Sequence, residues 1–166
     1  MSMTKYKEHF MKSIILIFSL LTINLSFAKE SIEEGAKNSM LKVLESNEAL
    51  HASFFKYNPK EVEQNAKKTL DALNAIKNPE LKKLLAKAGE KLKLITATAE
   101  REANNVNYHQ ASMAFIYIIN KYDLGEKYAG YRCPMVKKKW VQNTKKMGRV
   151  HNPYDPSMPH CGGKMN

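Results

Sequence analysis

The sequence lacks the short motifs by which most hydrolases and nucleotide-binding enzymes are recognised. It contains no GxSxG, GxxxxGKS, GxxxxGKT, HExxH or GxGxxG, and no ordered set of Ser, His and Asp stands out. It also lacks repeats of solenoid length and low-complexity tracts. We therefore expect a binding protein and not an enzyme.

Cysteine is scarce: the chain has two, Cys133 and Cys161, and they form no CxxC pair. The missing CxxC argues against a thiol oxidoreductase. Both cysteines lie in the last 34 residues, in the motifs CPM and MPHC, so Met135, Met158 and His160 are close to them in sequence. Thiolate and thioether sulfur select Cu(I) over harder ions. This pattern predicts a soft-metal site in the tail.

A structural disulfide is the alternative for Cys133 and Cys161. It would close a loop of about 29 residues and contribute roughly 3–4 kcal/mol on the chain-entropy model. The same two cysteines could alternate between both states: they would bind metal when reduced and form the disulfide when oxidised. Zinc is the weaker choice of metal, because His151 and His160 are nine residues apart instead of three to five.

Long apolar runs are absent after residue 28, and the one such run is at the N-terminus. Lysines precede the stretch from Ile14 to Phe27, and Ser26–Ala28 supplies small residues at a cleavage site. We expect residues 1–28 to be a signal peptide, with Met11 as an alternative start. The remaining chain would be exported to the periplasm or beyond, with no stable membrane insertion. An oxidising compartment permits a disulfide.

Acidic residues are scarce in the tail. The whole chain has a formal charge of +11, yet residues 132–166 carry eight basic side chains and a single acidic one, Asp155. Export and the shortage of interleaved aromatics argue against a nucleic-acid partner. We expect a solvated basic surface that could dock an acidic partner.

Four apolar stripes at helical spacing fill residues 31–122, and no segment alternates at period two. Ser31 with Glu34 resembles a capping box, Asn58–Pro59 and Asn78–Pro79 are start signals, and Asn104–Asn105 is read as a break. The sequence thus predicts an all-α fold: an antiparallel four-helix bundle over residues 29–127. Residues 128–166 would be a loop-rich cap within the same domain, with one helical turn near Val136–Asn143 and with Trp140 and Tyr154 docked on the bundle.

Several other residues are candidate ligands besides those of the two cysteine motifs. His109 and Met113 are four residues apart on the predicted fourth helix and share a face that a folded tail could cover. His51 is interpreted as a boundary histidine with satisfied hydrogen bonds. The remaining candidates are Met147, His151 and Met165.

The tail contains an ordered series of motifs: Tyr128 and Tyr131, CPM at Cys133–Met135, Trp140, NPY at Asn152–Tyr154, and MPHCG at Met158–Gly162. This series resembles a bacterial domain family of unknown function, which occurs in exported proteins and on periplasmic adaptor subunits of copper and silver efflux systems. The resemblance covers most of residues 38–163. Over the helices it is limited to the general pattern of residues, whereas the tail shares specific motifs. The chain departs from the family at Asp155–Pro156 and at His160.

The resemblance implies a helical bundle with a metal-binding cap and supports Cys133, Met135, Met158 and Cys161 as ligands. We therefore expect an exported protein that binds Cu(I), or else Ag(I), and buffers it or delivers it to an efflux system. Its partners would be the metal ion and the periplasmic adaptor of a metal efflux pump. The alternative is a non-metal interaction module in which a Cys133–Cys161 disulfide holds a basic cap that binds a protein or the envelope.

Overall fold

The computed structural model describes residues 29–165, so the predicted signal peptide lies outside the described part. Four helices come first: α1 (Glu34–Phe55), α2 (Pro59–Asn74), α3 (Pro79–Lys93) and α4 (Arg101–Lys121). Three strands follow: β1 (Tyr128–Cys133), β2 (Lys138–Asn143) and β3 (Gly163–Lys164). The described chain is therefore mixed α and β, and the prediction of an all-α bundle with a loop-rich cap is wrong.

Local signals explain where α2 and α3 begin. The Asn58 side chain accepts hydrogen bonds from the backbone N–H groups of Lys60 and Glu61, at 3.1 and 3.3 Å, and a proline follows it. The Asn78 side chain accepts one from the Leu81 N–H at 2.9 Å. These caps satisfy backbone donors that have no partner within the helix, and both were predicted from the sequence.

The proposed capping box at Ser31 does not form. Helix α1 begins after Glu33, whose side chain makes no capping hydrogen bond. The preceding chain is used elsewhere: the Glu30 N–H donates to the Lys121 carbonyl at 2.8 Å, and the Asp123 N–H donates to the Glu30 carbonyl at 2.9 Å. This bridge fastens the start of the described chain to the end of α4.

Asn104 does not break a helix but lies inside α4, fully buried. Its side chain accepts from the Thr96 N–H at 3.1 Å and donates to the Thr96 carbonyl at 2.8 Å and to the Tyr57 hydroxyl at 2.9 Å. Asn104 therefore organises the loop between α3 and α4. The break predicted there is wrong because the amide pairs with this distant backbone.

The core lies between the helices and extends under the sheet. The apolar stripes predicted from the sequence supply most of it, and each helix buries one such stripe. Among the largest fully buried side chains are Met40, Leu44, Phe54, Leu81, Leu85, Tyr108, Phe115 and Trp140. None of the helices within residues 29–165 combines the length and apolarity that crossing a membrane demands.

The sheet has the order β2-β1-β3, and all of its pairs are antiparallel. In the β1–β2 hairpin Tyr131 is opposite Trp140 and Cys133 is opposite Lys138. The short β3 pairs with the other edge of β1 and places Lys164 opposite Tyr131. The tail is therefore built around β1 as a central strand.

The strands were missed because burial on both faces removes the alternation that marks a half-exposed strand. In β1 every residue except Arg132 is buried, and the last four residues of β2 are all buried. The helical turn expected near Val136–Asn143 is therefore wrong. The clue lay in composition, since the tyrosines of β1 and the Trp–Val pair of β2 favour strands.

Specific contacts hold the sheet on the bundle. Glu48 of α1 accepts hydrogen bonds from the Tyr128 hydroxyl, from the Asn143 amide at 2.7 Å and from the Lys146 ammonium at 2.6 Å. Burial raises the pKa of Glu48, but these bonds outweigh it and leave the pKa below the ordinary value. On α4, Ile116 packs against Gly130, where an added Cβ would approach it to 3.0 Å.

Candidate functional site

The two cysteines meet at the end of β1 and form a disulfide, with their Cα atoms 5.4 Å apart. Cys133 ends β1 and is completely buried, whereas Cys161 precedes β3 and is partly exposed. The bond ties the chain after β2 back to the sheet. In this state the two sulfur atoms bond to each other, so neither is available as a thiolate ligand.

Asn152 shapes the loop that returns the chain to Cys161. Its N–H donates to the Pro159 carbonyl at 2.9 Å, and its side-chain amide donates to the Met158 carbonyl at 3.0 Å. Its side-chain oxygen accepts from the Tyr154 N–H at 3.1 Å. Since Asn152 is buried, these bonds satisfy an otherwise costly polar group and explain an asparagine in the NPY motif.

Gly162 follows the second cysteine at a position that admits no side chain. Its φ is +130°, and an added Cβ would lie 2.7 Å from the Arg132 carbonyl oxygen and 2.9 Å from the Trp140 ring. The neighbouring Gly163 has no atom within 4 Å of such a Cβ. The glycine beside Cys161 is thus required by the close approach of the chain to β1.

Aromatic side chains pack the tail together, and Tyr154 reaches the bundle at α4 as expected. Trp140 is completely buried between Tyr131, at a ring separation of 5.9 Å, and Tyr154, at 6.1 Å. Tyr154 lies 5.8 Å from Tyr108 of α4 and donates its hydroxyl hydrogen to the Lys139 carbonyl. The loop therefore has a packed aromatic base.

The other predicted ligands lie close to the disulfide in sequence and differ in exposure. Met135 occupies the β1–β2 turn with 70% of its surface exposed, and Met158 is partly exposed. The Met158 carbonyl accepts from the Cys161 N–H at 3.1 Å. His160 is exposed, and its Nδ1 donates to the Val150 carbonyl at 2.8 Å, which leaves Nε2 free to accept.

The tail covers His109, as the sequence suggested. It does so through a hydrogen bond that occupies the ring nitrogen a metal ion would need. The Lys139 N–H donates to Nδ1 of His109 at 3.0 Å, so the ring lone pair is already used and Nε2 carries the hydrogen. Burial is the main cause that lowers the pKa of His109. Met113, four residues on, is 42% exposed. Met147 lies in the turn after β2, where its carbonyl accepts from the Gln142 amide at 3.4 Å.

The structure also pairs two histidines that the sequence gave no reason to join. His51 of α1 and His151 of the tail are 100 residues apart, yet Nε2 of His51 lies 3.3 Å from Nδ1 of His151. His51 is buried and not at a boundary, and its Nδ1 contacts the Val141 carbonyl at 3.1 Å. Burial lowers the pKa of His51 to about 4.

Within residues 29–165, no three side chains of His, Cys, Asp or Glu are grouped as a multidentate metal site would need. No protein-family model matches the chain, and neither does a curated protein or a solved structure. The family resemblance of the tail motifs therefore remains a prediction.

Proposed function

We propose that this chain is an exported protein that binds a soft metal ion, Cu(I) or Ag(I), as cargo for an efflux system. The observation that carries the proposal is the meeting of Cys133 and Cys161, 5.4 Å apart at Cα, with Met135 and Met158 close in sequence to them. Sulfur ligands of this kind favour Cu(I). His160 would complete the site through its free Nε2.

Metal binding at this site requires reduction of the disulfide. A periplasmic dithiol reductant would supply two electrons and two protons, giving two cysteine thiols and the reductant's own disulfide. Each thiol that then binds the ion loses its proton, because the thiolate is the ligand. The disulfide-bonded fold is, in this proposal, the resting form without cargo.

The exposure of the ligands suits an ion that is passed on. Met135 and His160 are exposed and Cys161 is partly exposed, so an acceptor protein could replace these ligands one by one. Cys133 is completely buried and would be the innermost ligand. A metal held for structure would instead be expected in a closed shell.

The proposal is tested by loading the reduced protein with Cu(I) and measuring the mass of the intact complex. The reduced protein should bind one equivalent more than the oxidised protein, in which the disulfide leaves no thiolate at these residues. Cys133→Ser and Cys161→Ser should each abolish this binding, and Met135→Leu should weaken it. Met113→Leu is the matched control, since Met113 is an exposed methionine of α4 outside the two cysteine motifs. Equal uptake by the cysteine variants would refute the proposal.

A second candidate function is favoured by a lysine-lined cleft of about 620 Å³ beside β1 and β3. Lys29, Lys145 and Lys164 line it together with a single carboxylate, Glu126. With the disulfide intact, this face would bind an anionic envelope surface. Vesicles containing phosphatidylglycerol should then retain the oxidised protein at low salt, and Lys145→Glu with Lys164→Glu should release it.

A further inference from the structure

The buried histidine pair is built in a way that a simple packing contact does not require. The two ring planes are within 14° of each other, and the ring centroids are 5.5 Å apart. If the two rings lay end to end in one plane, their centroids would be separated by the 3.3 Å between the facing nitrogens plus the distance from each nitrogen to its own ring centre. The observed separation is close to that sum. His51 and His151 are therefore nearly coplanar and point nitrogen to nitrogen, with no face-to-face overlap.

The surroundings determine which nitrogen carries a lone pair. The Val141 carbonyl can only accept, so Nδ1 of His51 must donate to it, and Nε2 of the neutral ring is then a free lone pair. Burial keeps this ring neutral, because it lowers the pKa of His51 to about 4. The same lone pair now accepts a hydrogen from Nδ1 of His151.

Both rings are held from behind. A metal-binding histidine usually donates its second N–H to a carbonyl or carboxylate, and the Val141 carbonyl plays this part for His51. The ring of Phe55 lies on the His151 ring with centroids 3.6 Å apart, and the backbone N–H of His151 donates to the Gln142 side-chain oxygen at 3.0 Å. The facing nitrogens are thus oriented before any ligand arrives.

From this geometry we propose a second metal site, in which His51 Nε2 and His151 Nδ1 hold one two-coordinate ion, Cu(I) or Ag(I), between them. Zinc is disfavoured, because its sites use about four ligands and no third His, Cys, Asp or Glu joins the pair among residues 29–165. Metal–imidazole bonds of about 2 Å each require the nitrogens to move apart by less than 1 Å. His151 lies in a segment without helix or strand, which permits this shift.

The proton balance of binding is simple. The hydrogen on Nδ1 of His151 leaves when the ion enters, and Nε2 of the same ring takes up a hydrogen from solvent. Both rings stay neutral, the ion keeps its oxidation state, and no net proton is released. The site uses neither cysteine, so it is intact in the disulfide-bonded protein and does not depend on the function proposed above.

The test is a titration of the oxidised protein with Ag(I), which needs no reductant and leaves the disulfide intact. One equivalent should bind, and His151→Asn should weaken its binding about 10-fold or more. His109→Asn is the matched control, since the lone pair of His109 is taken by the backbone. His160→Asn, Met135→Leu and Met158→Leu should also leave the binding of this equivalent unchanged.

A nitrogen-detected NMR spectrum of the histidine rings supplies a second measurement that does not rely on variants. Ag(I) should shift Nε2 of His51 and Nδ1 of His151, while Nδ1 of His51 stays protonated. If the oxidised protein binds no Ag(I), or if the binding follows Met135, Met158 or His160 and not His151, the proposal is wrong. Loss of cargo binding in the reduced cysteine variants would leave this result untouched.

Discussion

Reduction of the Cys133–Cys161 disulfide should destabilise the protein by a predictable amount. The bond spans a sequence separation of 28 residues, and the chain-entropy model gives about 3–4 kcal/mol for a loop of that size. For a domain of this length the loss corresponds to a fall in Tm of about 10 °C. The effect arises mainly in the unfolded chain, which becomes free to expand.

Trp140 makes the measurement specific to the tail. It is the only tryptophan in the chain. Its ring lies so close to Gly162, the residue after Cys161, that a Cβ added to Gly162 would approach it to 2.9 Å. Urea unfolding should be followed by Trp140 fluorescence and by helical circular dichroism, with and without a phosphine reductant. The two probes should report the same transition in the oxidised protein.

The double variant Cys133→Ala/Cys161→Ala provides the control, because reductant should no longer change its stability. It should resemble the reduced protein, with an unfolding free energy about 3–4 kcal/mol below that of the oxidised form. A loss of less than about 1 kcal/mol would refute the claim that this bond staples the tail. An early change in fluorescence alone would show instead that the tail opens before the helices.

Three further predictions concern stability. Gly162→Ala should lower the free energy of unfolding, measured by thermal unfolding, by about 1–3 kcal/mol, because φ at this position is +130° and the new Cβ would collide with the Arg132 carbonyl oxygen. Gly163→Ala should change the stability little. Asn104→Ala leaves buried groups unpaired and should cost about 1–3 kcal/mol in urea unfolding, unlike Asn107→Ala on the surface. The pKa of His51 is lowered from 6.5 to about 4 by folding, so between these pH values the unfolded chain binds a proton that the folded protein does not. The free energy of unfolding should therefore decrease by about 3 kcal/mol as the pH falls from 6.5 towards 4. Urea unfolding across that range should show this loss, and His51→Asn should flatten it.

The helices were predictable because their signals are local. Asn58 and Asn78 cap the next turn of their own chain, and the apolar stripes repeat within one helix. The break expected at Asn104 is wrong because its partners, Thr96 and Tyr57, lie in two different interhelical loops. A side chain that satisfies distant backbone carries no mark in its immediate neighbours.

The site was only partly predictable for a different reason. Sequence proximity drew attention to Cys133 and Cys161, which form a disulfide in the structure, but it could not decide between a disulfide and a pair of ligands, since that depends on redox conditions. The pairing of His51 with His151 was invisible because 100 residues separate them. No periodicity links an α1 residue to an irregular tail, so only the fold reveals the pair.

The contacts between α1 and the tail also constrain how quickly the protein can fold. Glu48 meets Asn143 and Lys146 across 95 and 98 positions, and His51 meets His151 across 100. Closing such long loops lowers the conformational entropy of the chain before the stabilising contacts form. A high mean sequence separation between contacting residues therefore slows folding. The helical hairpins should therefore assemble early, while docking of the segment from β1 onward sets the overall rate.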